Sequence, residues 1–216
     1  MTARLDAATI DLLGVLAYGE LTAFERLAGD SQLAPTIEDK IALASMAHVE
    51  FGHFKQLRDH LQAAGVDPVA AMAPFVKALD AFHEATQPSD WCEGLIKAYV
   101  GDGMAADFYR EAATYLTDKP TRALIESALA DAGQAEFAVA RVKQAIAEDP
   151  TRGGRMALWA RRLVGEAILQ AQQVAVERDA LLTLLVGSGD LAGITRLFTS
   201  ITEKHTARMH ALGLQD

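Results

Sequence analysis

Four stretches of this chain repeat one pattern, an apolar face at helical spacing interrupted by an acid, and that repeat limits the folds open to it. The clearest stretch places Leu43, Met46, Ala47, Glu50, His53, Phe54, Leu57 and Leu61 on a single helical face, so Glu50 and His53 point where the helix is expected to be buried. An ionised carboxylate left unpaired in a core is costly or takes up a proton, so Glu50 calls for a cation, a hydrogen-bond network or a metal ion. The same reading puts Glu20 among Leu13, Leu16, Ala17, Ala23, Phe24 and Leu27, and Asp102 among Leu95, Ala98, Tyr99, Ala105, Ala106 and Tyr109. A fourth face carries Asp131 and Gln134 among Leu124, Ala128, Ala135, Ala138 and Val142. Glu20 precedes Glu50 by 30 residues and Asp102 precedes Asp131 by 29, and Glu50 and Asp131 each have a polar partner three residues on, which reads as an internal repeat.

Half of the 216 residues are hydrophobic, aromatics are scarce, and Gly and Pro gather at a few places, which fits an all-α protein with a sizeable core. The expected helices run from about Asp6 to Ala28, from Thr36 to Ala64, from an N-cap at Ser89 to about Leu116, and from Asp118-Lys119-Pro120 to about Glu148. Between the second and third, Asp67 to Thr86 reads as short helices in a crossover, because Pro68 and Pro74 break the pattern. Two more helices are expected beyond Gly153-Gly154, from Met156 to Val186 and, with Asp190 as N-cap, from Leu191 to Leu212. The chain is thus expected to form one domain, with a core bundle over about 6–148 and a C-terminal helical pair over about 152–212.

The single cysteine excludes an intramolecular disulfide framework and suits a reducing compartment, and no secretory signal is evident at the start. No apolar run is expected to span a bilayer, since Asp, Glu or Arg interrupts each candidate, and a cytoplasmic protein without membrane partners is the resulting expectation. The net charge of -9 argues against general coating of nucleic acid. Locally, however, Arg141, Lys143, Arg152, Arg155, Arg161 and Arg162 gather near the junction of the fourth and fifth helices, where they would contact phosphates or simply complement helix ends.

Four acids converging in a bundle would repel one another without a cation. Two helices giving one acid each, and two giving an acid with a polar group at i+3, match the arrangement of carboxylate metal sites in helical bundles. Carboxylate oxygens and imidazole nitrogens are the donors that iron and manganese favour, and the i,i+3 spacing aims two of them at one point. At these residues the chain resembles the MiaE-like family of ferritin-like proteins, the tRNA 2-methylthio-N6-isopentenyladenosine hydroxylases, and its actinobacterial subgroup in particular. The resemblance rests on Ala17-Tyr18-Gly19-Glu20-Leu21-Thr22-Ala23-Phe24-Glu25, Glu50-Phe51-Gly52-His53, Lys97-Ala98-Tyr99-Val100-Gly101-Asp102 and Asp131-Ala132-Gly133-Gln134, and covers about Leu12 to Ala147. It implies a ferritin-like four-helix bundle with a crossover connection and two added C-terminal helices, and non-haem di-iron hydroxylation of a prenylated adenosine in tRNA, with an electron donor as a further partner.

The first half-site, Glu20, Glu50 and His53, matches the family pattern, while the second departs from it. Asp102 and Asp131 stand where glutamates are expected, each with one methylene less of reach, and Gln134 stands for a histidine, offering an amide in place of an imidazole. One metal ion held mainly by Glu20, Glu50 and His53 is therefore expected, with Asp102 or Asp131 completing its site and Gln134 a weak ligand or supporting donor. The alternative is a non-catalytic binding protein with a degenerate or single-metal site, and iron storage would need a cage that this sequence does not show. A monomer or homodimer is expected.

The remaining polar residues read as structural. His83 is expected at the surface or in packing, His205 and His210 in solvated or capping roles, and His48 and His60 off the Glu50 face. The stripe of Glu166, Gln170, Gln173 and Glu177 reads as the wet face of an outer helix, and Cys92, in a first helical turn, lacks a neighbouring base or resolving thiol. Met46 and Met104 are expected to fill core gaps.

Overall fold

The computed structural model describes residues 5–130, 133–186 and 191–215, and among them every regular element is helical. Helix α1 (Ala7–Asp30) begins where the Asp6 carboxylate accepts from the Thr9 amide, and α2 (Ile37–Ala63) begins where the Thr36 hydroxyl oxygen accepts from that of Asp39. Gly65, at φ 78, ends α2 in the left-handed conformation that a side chain would strain. The pair packs along its length, and the face foreseen for α2 is the one that is buried, with Met46 and His53 half-buried at its edge. Two short helices, α3 (Pro68–Met72) and α4 (Val76–Ala85), make the crossover.

Three expected helices are interrupted. The third is α5 (Trp91–Ile96), a π-helical turn over Lys97–Asp102, and α6 (Gly103–Thr114). Its N-cap is Asp90, not Ser89, because the Asp90 carboxylate accepts from the Glu93 amide while Ser89 donates to the Glu93 side chain. The fourth divides into α7 (Lys119–Ala128), which stops at Leu129, and α8 (Gln134–Glu148), which Gly133 precedes at φ 93. The fifth starts earlier than expected and divides into α9 (Arg152–Glu177) and α10 (Asp179–Val186). Between them Arg178 leaves helical geometry and its guanidinium grips buried Asp11 on α1. The last helix is α11 (Leu191–Leu212), and the Asp190 expected to cap it lies outside the described residues.

The architecture is an all-α bundle with a crossover and additional C-terminal helices. Helix α9 packs on α4 and the π turn, α10 on α1, and α11 on α6 and α8. The buried side chains form two clusters. One contains Leu27, Leu43, Leu95, Val142, Leu163 and Met209, and the other Leu13, Leu16, Leu57, Phe75, Ile125 and Leu181. Helices α1 and α2 run through both, passing from one to the other between Ala17 and Leu27 and between Ala47 and Phe54. By length and composition, Ala7–Leu33 is long and apolar enough to cross a membrane, contrary to the expectation that no run is. Its most apolar window holds no more than two charges, and 56% of that window is buried inside the protein, so its side chains serve the core.

Helix α1 meets α3 through a glycine. A Cβ added at Gly14 would stand 2.2 Å from the carbonyl oxygen of Ala71, a backbone atom that cannot swing aside. Gly14→Ala is expected to cost about 1–3 kcal/mol in denaturant unfolding. Gly29→Ala, with nothing within 4 Å of the new atom, is expected to leave stability unchanged or slightly raised.

Candidate metal centre

Glu20 and Glu50 meet where α1 and α2 cross from one apolar cluster to the other, and both are buried, at 7% and 8% exposure. His53, one turn after Glu50, brings Nδ1 to 3.3 Å from Glu50 Oε2 and 3.5 Å from Glu20 Oε2. One donor atom from each of the three lies within 4.8 Å of the others. Two buried carboxylates this close need positive charge between them, and two oxygens with one imidazole nitrogen form a donor set suited to a first-row divalent ion. The residues therefore fit the metal that the sequence pattern implies.

Protons now do part of that work. Burial raises the Glu20 carboxyl well above the usual carboxylate range, with His53 opposing the rise and Glu50 adding to it. Burial also acts to raise Glu50, but hydrogen bonds from His53, Glu20 and Gln134 prevail and hold it below its ordinary value. The hydrogen bonds to Glu20 and Glu50 push His53 up to about 9 against its burial. To serve as a ligand His53 would have to give up its proton, so metal binding would be coupled to pH.

The second half-site is arranged differently. Gln134, the first residue of α8, donates from Nε2 to Glu50 Oε1 at 2.6 Å, and because a carboxylate only accepts, the amide NH2 must be the end that faces it. In this geometry Gln134 orients a ligand rather than serving as one. Asp102 ends the π turn outside the three-residue group, and its side chain opens into the cavity beside it. Although the Asp102 side chain is exposed to the cavity, desolvation by the atoms that surround it pushes its carboxyl up to about 8, with Glu50 adding to the rise and Arg26 and Lys97 opposing it. Asp131 lies outside the described residues.

The three-residue group opens onto a cavity of about 840 Å³, lined mostly by apolar side chains such as Leu16, Leu43, Leu79, Phe82, Phe137 and Val164. Tyr109, buried beside Gly19, reaches the same space, and burial and the nearby Glu20 hold its hydroxyl in the protonated form. Sequence reasoning missed a second polar group here, formed by Arg26, Asp30, His83 and Lys97 around Asp102. A lysine inside the apolar run Leu95-Ile96-Lys97-Ala98-Tyr99-Val100 was the available signal. Lys97 is only 2% exposed, its Nζ donates to the Thr86 carbonyl at 2.6 Å, and burial with the neighbouring Arg26 lowers it to about 7.

His83 proves to be a packing residue that lines the cavity. The Thr22 hydroxyl donates to the Gly19 carbonyl, so it can only accept from His83 Nε2, which leaves Nδ1 as a buried bare acceptor. Burial, with Arg26 and Lys97, pushes its pKa down to about 2. His205, in contrast to the solvated or capping role expected, is buried at 9% exposure, because His205, Met209 and Leu212 form the inward stripe of α11. His210 and His48 are exposed, and His60 shares a hydrogen bond of 2.9 Å with Thr121. Gln170, from the stripe expected to be wet, turns inward and lines the cavity. Cys92 is buried, and that burial raises its thiol pKa, which opposes reactivity.

The arginines of the basic patch are largely engaged. Arg141 pairs with Asp39 at 2.7 Å, Arg152 with Asp149 at 3.4 Å, and Arg155 with Asp90 and Glu93. Arg161 donates to the Gln215 carbonyl and Arg162 lies over the Trp159 ring.

Fold and site together define a helical bundle carrying a buried carboxylate and histidine group. The family model described as the ferritin-like domain of actinomycetes matches residues 3–188, and the chain belongs to that family. No curated protein sequence matches it.

Two outcomes follow from the geometry. His53→Ala is expected to remove most of the metal bound after loading, measured by elemental analysis, while Gln134→Ala lowers it by a smaller factor, because only His53 supplies a donor atom. The second concerns His83, whose folded pKa lies below its ordinary 6.5, so the unfolded chain binds more protons between these values. The stability this contributes is present above about 6.5 and is lost as pH falls. His83→Gln is expected to make denaturation midpoints less sensitive to acidification from pH 7 to pH 5.

Proposed function

We propose that the protein is a metal-dependent oxidoreductase that hydroxylates a small apolar substrate, with iron, or manganese in its place, held by Glu20, Glu50 and His53. The observation that carries this reading is the opening of a buried two-carboxylate, one-imidazole group directly onto the large apolar cavity. When bound, the metal would supply O2 activation, and the overall change is substrate C–H plus O2, two electrons and two protons giving the alcohol and water, with the electrons from an external donor. The chain's own residues do the rest. Glu20 and Glu50 provide oxygen donors and His53 a nitrogen, while Gln134 fixes the free oxygen of Glu50 and so the direction in which its partner oxygen points. The Tyr109 hydroxyl stays protonated beside Glu20, and the apolar walls exclude water from the reacting centre.

The finer resemblance to the MiaE-like hydroxylases supports oxidation as the chemistry. Their tRNA substrate would require free basic surface, and the internal pairing of Arg141, Arg152 and Arg155 favours a small molecule instead. The lone buried cysteine and the use of α1 in the core support a cytoplasmic setting. A second reading, a non-catalytic binding protein with a single-metal or degenerate site, is favoured by Gln134, which directs its amide protons at Glu50 where a metal-binding histidine would offer a nitrogen.

Anaerobic loading with ferrous iron, followed by elemental analysis and optical spectra before and after O2 is admitted, tests the proposal. The expected result is close to one iron per chain and a spectral change on exposure to O2. Two irons with oxo-bridge absorption would establish a di-iron centre instead, and an absence of bound iron and manganese would overturn the proposal in favour of a metal-independent binding protein.

A further inference from the structure

The cavity contains a positive charge that lacks a direct partner. Arg26 lies on α1 six residues beyond Glu20, about 9 Å further along the helix axis, and lines the same cavity. Its Nε is buried without a hydrogen-bond partner, and no carboxylate among the described residues forms an ion pair with its guanidinium. Four acids act on it from a distance: Asp30, Asp102, Glu25 and Asp80. Of these, Asp80 accepts a hydrogen bond of 2.6 Å from the Tyr18 hydroxyl, Glu25 is exposed, and Asp102, also exposed, makes no ion-pair contact with Arg26. Asp30 remains, half-buried and not in ion-pair contact. The other basic groups nearby are committed elsewhere, Lys97 to the Thr86 carbonyl and His83 to Thr22 as a neutral ring.

A guanidinium keeps its charge at any accessible pH, its planar fork of N–H donors fits carboxylate and phosphate oxygens alike, and among apolar walls the singly charged carboxylate costs less to desolvate than a multiply charged phosphate. Placed at one side of a mostly apolar space, it provides the polar anchor that orients a ligand, while the walls supply the area that binds it. From this juxtaposition we propose that the cavity binds an apolar monocarboxylic acid, with the carboxylate on Arg26 and the hydrocarbon body among Leu79, Phe82, Leu95 and Val164, reaching toward Glu20 and Glu50. Binding of the acid stands independently of the metal reading. That the bound acid is also the molecule hydroxylated rests on that reading.

The test uses the full chain treated with chelator, loaded with the uncharged apolar dye Nile red, and titrated with dodecanoate below its micellar concentration and with dodecanol below its solubility limit. Dodecanoate is expected to displace the dye at concentrations at least about tenfold lower than dodecanol, the advantage of a charge-assisted pair over a neutral one. Arg26→Gln is expected to abolish that preference without weakening dodecanol, and Arg26→Lys to retain part of it. His53→Ala is expected to keep the full preference, which separates this site from the metal group. Equal displacement by acid and alcohol, or no displacement by either, would overturn the proposal. A preference that survives in Arg26→Gln or disappears in His53→Ala would place the carboxylate elsewhere and overturn it equally.

Discussion

Everything at the centre of this protein depends on the mutual repulsion of two buried carboxylates. Glu20 and Glu50 approach because α1 and α2 pack along their length, and that packing, driven by the leucines and phenylalanines on both sides, forces the acids together. The conflict is resolved by positive charge, from the proton on His53, or would be by a metal ion bound in its place. Where the chain crosses this level, its apolar contacts change partners. One cluster lies on each side of the acids, so the polar layer behaves as a floor between two cores rather than as a flaw in one.

The second half of the bundle does not close over that floor in the way the first half does. A π turn in the third helix leaves Asp102 at the cavity but outside the three-residue group, and a left-handed glycine stands immediately before α8. Space is left beside Glu20 and Glu50, and the later helices cover it with apolar side chains from α9 and α11. The π turn therefore separates Asp102 from the three-residue group while its own residues line the space open to a ligand. Irregular helix geometry at a functional position is a recurring pattern in helical proteins.

The sequence showed the first half of the site better than the second, and the reason is geometric. Glu20, Glu50 and His53 lie on uninterrupted α-helices, for which a spacing of three or four residues fixes the face. The periodicity that placed Asp102 with Glu20 and Glu50 assumed that Leu95 to Tyr109 is one α-helix, and the π turn invalidates that assumption. Gly133 was visible in the sequence, but its positive φ depends on tertiary context. Residues that act across large separations were least legible. Arg178 meets Asp11 from 167 residues away, and Arg26, Lys97 and His83 meet only because α1, α4 and the π turn share a cavity wall. His205 could have been found, since its i+4 and i+7 neighbours Met209 and Leu212 already marked the buried side of α11.

The π turn has a further consequence for comparing this chain with its relatives. A π turn holds one residue more than the α turn it replaces, so a relative with a regular helix would be one residue shorter between Lys97 and Asp102. An alignment without a gap there would shift one flank by a single position, equivalent to a rotation of about 100° about the axis. Asp102 would then be matched to a neighbour of its true counterpart, and a residue facing the cavity would be assigned to the wrong face of the helix.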